Sequence, residues 1–266
     1  MIVVLRYVLP GFLLLICLVA CSSLPARRPL SGPESLLVSD SFMEMSGRQR
    51  QCKSSVDADI TVTLDSKFYS GTTSGYFQAM APAFLKIVGI NPFGQPWGVF
   101  VSDGDHFEYA LLNESRSYNG KVDSESFRRF TPSGFDPGLS FYSLTAKQAP
   151  GKFRILSTSG EPDGNGAWLE LEHINDNRHS LVLFDPDTQL IHQYLQLDQE
   201  GEVAMKIVYG DYYHGPCNLP GHITISGSGR AGKLQLRLKE WRTDTPFSSA
   251  DFELELPPGF TKETVN

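Results

Sequence analysis

Residues 57–64 read DADITVTL. Ala58, Ile60, Val62 and Leu64 are apolar, and Asp57, Asp59, Thr61 and Thr63 between them are polar. A strand turns successive side chains to opposite faces, so this period of two makes one apolar and one wet surface. The period recurs downstream. Val203, Met205, Ile207 and Tyr209 share a face, as do Leu234, Leu236 and Leu238 in KLQLRLKEW, and Phe252, Leu254 and Leu256 in DFELELP. Half-wet strands of this kind pair antiparallel. Between them fall Asp103-Gly104, Asp163-Gly164 and Glu200-Gly201, the residues that tight hairpins need for positive φ. The pattern predicts a mainly β chain of about eleven strands, without the βαβ alternation of a parallel sheet.

A long sheet with one apolar face has to bury it and to protect its edges. Curling does both, which predicts an unclosed antiparallel β-barrel, or half-barrel, with short helices covering its mouth. Three stretches have helical spacing. Residues 34–50 place Val38, Phe42 and Met45 on one side and Leu36, Leu37 and Met43 in a second set. Residues 124–130 (SESFRRF) bring Phe127 and Phe130 together, and residues 138–151 align Leu139, Tyr142 and Ala146. The alternation nominates Ile60, Val62, Leu64, Phe107, Tyr109, Leu169, Leu171, Met205, Ile207, Leu236 and Leu238 as the lining of an apolar ligand cavity. A slip of one residue in register would exchange core and solvent faces.

The chain starts MIVVLRYVLPGFLLLICLVAC, a basic residue followed by an apolar run and a small residue before Cys21. That is the layout of a secretory signal over residues 1–20, too short to span a bilayer comfortably. Leu18-Val19-Ala20-Cys21 resembles the lipobox of bacterial lipoproteins. The resemblance implies that Cys21 is acylated and, with Ser22 rather than aspartate behind it, that the protein goes to the outer membrane, facing the periplasm. An ordinary signal peptide and an uncleaved anchor are the alternatives. Residues 21–33, rich in Ser, Pro and Arg, read as a flexible tether, and residues 34–266 as a single domain. Cys52 and Cys217 are an even pair and a candidate disulfide in an oxidising compartment, two separate thiols being the other reading.

Several chemistries lack their residues. Net charge is −7 and no basic stripe is present, which argues against nucleic acid as a partner. GTTSG at 71–75 has the wrong spacing for a nucleophile elbow, and no enzyme constellation is expected. Gly227–Gly232 (GSGRAG) matches a dinucleotide motif in letters, yet HITIS precedes it and KLQLRL follows, so it reads as a hairpin. His214, Cys217 and His222 supply three candidate ligands where a structural zinc site needs four. No metal and no cofactor are expected.

Four segments carry a wider resemblance: FLKIVGINPFGQPWGVFVSDG (84–104), FEYALLNESRSYNG (107–120), IVYGDYYHGPCNLPGHITIS (207–226) and ADFELELPPGF (250–260). Together with the lipobox, tether and helix they resemble the LolA/LolB superfamily of lipoprotein-carrier domains. The resemblance implies a monomer without enzymatic activity that takes acyl chains of lipoproteins or lipids as cargo. It further implies delivery to the inner leaflet of the outer membrane, and a LolA-type periplasmic carrier as partner. In LolB an apolar residue protrudes from a loop and assists insertion. Asn91, Pro92, Phe93 and Gly94 would hold that membrane-insertion loop here, with Phe93 at its tip. A non-enzymatic scaffold or sensor with a filled core is the rival reading, and an envelope hydrolase a third.

Overall fold

The computed structural model describes residues 24–65, 70–128, 131, 134–174, 177–215, 217–227 and 232–266. Two runs of strands make the sheet. The first is β1 (Ser55–Asp65), β2 (Ser70–Met80), β3 (Phe84–Ile90), β4 (Pro96–Ser102), β5 (His106–Leu111) and β6 (Arg116–Lys121). The second is β7 (Phe153–Gly160), β8 (Ala167–His173), β9 (Arg178–Asp185), β10 (Leu190–Leu197), β11 (Val203–Gly210), β12 (His222–Gly227) and β13 (Lys233–Arg242), followed by β14 (Thr261–Val265). All fourteen belong to one sheet in the order β14-β6-β5-β4-β3-β2-β1-β13-β12-β11-β10-β9-β8-β7. β14 and β7 are its edges, so the sheet is unclosed. Hairpin pairing is antiparallel throughout, and β1 pairs with β13 antiparallel to join the two runs. β14 alone pairs parallel, with β6.

The strand count exceeds the expected eleven because the extra strands are poor in apolar residues. β6 reads RSYNGK and β14 reads TKETV, and neither alternates visibly. One expected strand is corrected. DFELELP opens in a 3-10 turn at Ser249–Phe252, capped by mutual Ser248–Asp251 hydrogen bonds, and then runs unpaired to residue 260. Phe252 is buried against the rings of Phe84 and Phe247, with centroids 5.4 and 5.7 Å away. Side-chain alternation survives there without a ladder, and Pro257 and Pro258 lack the N–H groups a ladder needs.

Helix α1 (Gly32–Gln49) begins two residues ahead of the expected position. Ser31 and Glu34 form a reciprocal capping box, which satisfies two of the helix's free N–H groups. Its Val38, Phe42 and Met45 enter the concavity of the sheet. Phe42 meets Phe153 and Phe184 edge-on, at 6.0 and 5.4 Å. Helices α2 (Glu125–Arg128) and α3 (Ser140–Leu144) are shorter than the spacing predicted, and Phe130 lies outside the described residues. α3 adds Phe141 and Leu144 to the same core. The opposite face of β8–β10 carries a smaller apolar cluster of Trp168, Leu181, Leu183 and Leu195, so the outer surface is not wet along its whole length.

Part of the segment read as a tether is docked. The backbone of Arg28 exchanges two hydrogen bonds with Gly160, at 2.9 and 2.8 Å, extending the ladder at the β7 edge. A side chain at Gly160 would collide with the Arg28 side chain, which lies over it. Cys21 lies outside the described residues. Among the described residues no helix is long and apolar enough to cross a membrane.

Candidate functional site

Strand register carries one face across the whole sheet. Ile60 stands opposite Leu238, Val62 opposite Leu236, and Leu64 opposite Leu234. On one side, Ala58 faces Phe77, Phe77 faces Ile87, Ile87 faces Phe100, and Phe100 faces Tyr109. Phe107 lies two residues from Tyr109 and shares its face. On the other side the row passes from Leu236 through Ile223 to Tyr209, and from Ile207 through Tyr194 and Val182 to Leu169. Met205 and Leu171 lie two residues along the same strands. The eleven nominated residues therefore share the inner face.

They do not share one environment. Ile60, Leu169, Leu171, Met205, Ile207, Leu236 and Leu238 are buried in a single cluster with α1 and α3. These seven are core in this conformation: the helix already occupies the space that a ligand would take. Val62, Leu64, Phe107 and Tyr109 are half-buried. Two surface depressions are lined by other residues. The larger, about 400 Å³, involves Glu161, Asp185, His192 and Tyr209.

Val62 and Leu64 lead to the β3–β4 turn, whereas Phe107 lies at the opposite strand ends, against the rings of Phe100 and Phe127. A register shift between Gly89 and Ile90 lets Trp97 fold across the sheet. Its indole lies over Gly89, where a methyl group would stand only 2.9 Å from the ring. Nε1 of Trp97 donates to Oγ1 of Thr73 at 3.1 Å, and Thr73 pairs with Val62 on the same face. Trp97 and Thr73 were not nominated from sequence. A tryptophan opposite glycine positions in a neighbouring strand was the available signal.

The turn itself is pinned. Oδ1 of Asn91 accepts from the N–H groups of Phe93 and Gln95, at 2.9 and 3.0 Å. Gly94 N–H donates to the Asn91 carbonyl at 2.9 Å, and Asn91 N–H to that of Gln95 at 2.9 Å. Gly94 has φ +81°, a left-handed conformation that glycine adopts without strain. Pro92 fixes φ on the other side of Phe93. The result is a phenylalanine 88% exposed on a braced turn.

Other nominated features find places too. Cys52 and Cys217 form a disulfide, tying the end of α1 to the loop after β11. His214, Cys217 and His222 are not a ligand set, since Cys217 is bonded, and the described residues contain no metal-holding group of three. GTTSG at 71–75 is part of β2. β12 and β13 flank GSGRAG as paired antiparallel strands, with residues 228–231 outside the described set.

No family model matches the sequence, and no curated protein matches it. Solved structures do match its shape. A DUF1329 family protein from Desulfovibrio piger superposes with TM-score 0.57 at 12% identity, over 81% of this chain and 97% of that one. A LolA superfamily protein from Nitrosomonas europaea gives 0.54 at 11%, with the same coverages. The fold is LolA-like. A Vibrio parahaemolyticus protein described as an outer membrane lipoprotein-sorting domain gives 0.53 at 13%, over 84% and 97%. These LolA-like structures are matched almost end to end, which extends the likeness to both halves of the sheet.

Proposed function

We propose that this chain is a lipid-anchored protein of the outer membrane, facing the periplasm, that holds acyl chains of lipoproteins or lipids against its inner face and helps pass them into the bilayer. The observation that carries the proposal is Phe93, a large aromatic side chain held exposed at the rim of an apolar half-barrel. A hydrated loop gains nothing from such a side chain, whereas a membrane interface takes its ring favourably. Trp97, Leu64, Val62 and Leu234 form a half-covered apolar path inward from that rim. The lipoprotein-sorting description of the Vibrio structure supports the same reading, as does the lipobox at Cys21. No covalent step is required: an acyl chain partitions from one apolar site to the next.

A fluorescent fatty-acyl probe tests this. Binding is expected to be saturable and to weaken about ten-fold in Leu64→Glu, since a carboxylate on the path opposes apolar contact. Binding that is absent, or indifferent to Leu64, overturns the proposal. One observation favours a second reading: seven inner-face residues are already packed against α1 and α3. A scaffold or sensor with a permanently filled core would look the same, and it would leave the probe unbound.

A further inference from the structure

Nine large apolar side chains stand exposed among the described residues, and four of them, Leu24, Leu36, Leu37 and Met43, fall within residues 24–43. Leu36 and Leu37 are 66% and 70% exposed, and Met43 49%. They lie on α1, whose other side is already used, since Val38, Phe42 and Met45 are buried in the core. Among the described residues, core packing therefore leaves a second apolar strip on this helix exposed. Charge also sets the region apart. Residues 24–50 hold four arginines (27, 28, 48 and 50) against three acids (Glu34, Asp40 and Glu44), whereas the whole chain carries −7.

Chain length limits how far this end of the protein can stand from an anchor at Cys21. Arg28 is fastened to Gly160, and it follows Cys21 by seven residues. Seven extended residues reach at most about 25 Å. An acylated Cys21 thus keeps Arg28 and the β7 edge within that distance of its bilayer, and α1 starts four residues further along the chain. We propose that the outward strip of α1 (Leu36, Leu37 and Met43) lies in the headgroup region of that bilayer. It is a second membrane contact, and it orients the half-barrel. The proposal rests on the reading of Cys21 as the anchor. Asp40 and Glu44 are exposed on the same side of the helix and Glu44 pairs with Arg48 at 3.5 Å, so the contact rests on the apolar side chains, with Arg27 and Arg50 the exposed arginines left for anionic lipid.

This contact is separate from Phe93. Gly160 closes β7 at the strand ends that carry connections 161–166 and 186–189. Phe93 sits at the opposite strand ends, with connections 112–115 and 198–202. The helix contact therefore does not depend on the turn.

The test uses the full-length mature protein in vesicles of phosphatidylethanolamine and phosphatidylglycerol, doped with a phosphatidylcholine whose acyl chain bears a diazirine. After illumination, labelled peptides are mapped by mass spectrometry. Label is expected within residues 34–44 and is expected to fall about ten-fold in the Leu36→Gln/Leu37→Gln/Met43→Gln variant. These side chains are exposed, so the variant should keep its melting temperature, which is measured in parallel. Phe93→Gln should leave α1 labelling unchanged. An unlabelled α1 on an acylated chain overturns the proposal, including the case in which α1 instead meets a protein partner. Label that vanishes in Phe93→Gln overturns it as well. Intact mass of the same sample reads acylation at Cys21 independently, so an unacylated chain would overturn the anchor reading instead.

Discussion

Phe93 owes its exposure to its neighbours. Asn91 spends one side-chain oxygen on two backbone N–H groups, and Gly94 takes the left-handed backbone that other residues adopt at a cost of about 1–2 kcal/mol. Gly94→Ala is therefore expected to lower stability by about 1 kcal/mol, read as a shift in the denaturation midpoint; an unshifted midpoint would mean that the turn is not braced. Phe93→Glu should leave stability within about 0.5 kcal/mol of the parent, as a surface change does, while lowering transfer of an acylated peptide into vesicles. Equal transfer by both proteins would remove Phe93 from the delivery step. Lys147 gives a pH dependence. Its Nζ donates to the Lys53 carbonyl at 3.1 Å and lies 4.9 Å from the centre of the Phe141 ring. Burial lowers its pKa to about 8. Between that value and the unfolded one of about 10.4, the unfolded chain holds a proton that the folded chain has lost. Stability should accordingly rise with pH across this window, by at most about 3 kcal/mol. Burial raises the Tyr209 and Tyr212 pKa values, so above about pH 10 their unfolded ionisation reverses the trend. Urea unfolding from pH 7 to 10 should show the rise in the parent and a flat line in Lys147→Met.

Among the elements, α1 shows how much the sequence told and where it stopped. Spacing separated its two apolar sets, because a helix repeats every 3.6 residues whatever it packs on. Which set faces the core was not legible, since that depends on the sheet opposite. The same limit explains DFELELP. Its alternation is real, but a strand also needs a free edge to pair with, and the edge at β6 is taken by TKETV. The Cys52–Cys217 disulfide joins residues 165 apart in sequence and fastens α1 to the loop after β11. On the chain-entropy description a closure of that length is worth about 5 kcal/mol. Reduction should lower the unfolding free energy by an amount of that order, and an unchanged midpoint under reductant would show that the two ends hold together without it.

At the scale of the molecule, the inner face was readable from period two because each ladder preserves it. Ile60, Val62 and Leu64 select the facing residues on β13 and β2, and the choice propagates strand by strand. The Asn-Pro-Phe-Gly turn was readable for the same local reason: proline and glycine around one aromatic leave few backbone choices. What fills the concavity was not readable, because Leu236 and Leu64 look alike in sequence while one is buried in the core cluster and the other is half-buried toward the rim. The lipid-binding proposal turns on this difference. On that proposal acyl chains lie along the half-buried Val62, Leu64, Leu234 and Trp97, since the core beyond them is already packed. Native mass spectrometry of the protein released gently from envelopes, with extraction of whatever it carries, tests that claim most directly. A stoichiometric acylated ligand, lost in Leu64→Glu while the fold persists, is the predicted result. A protein that emerges empty, and stays empty when offered an acylated peptide, would contradict the carrier reading and leave the filled-core scaffold in its place.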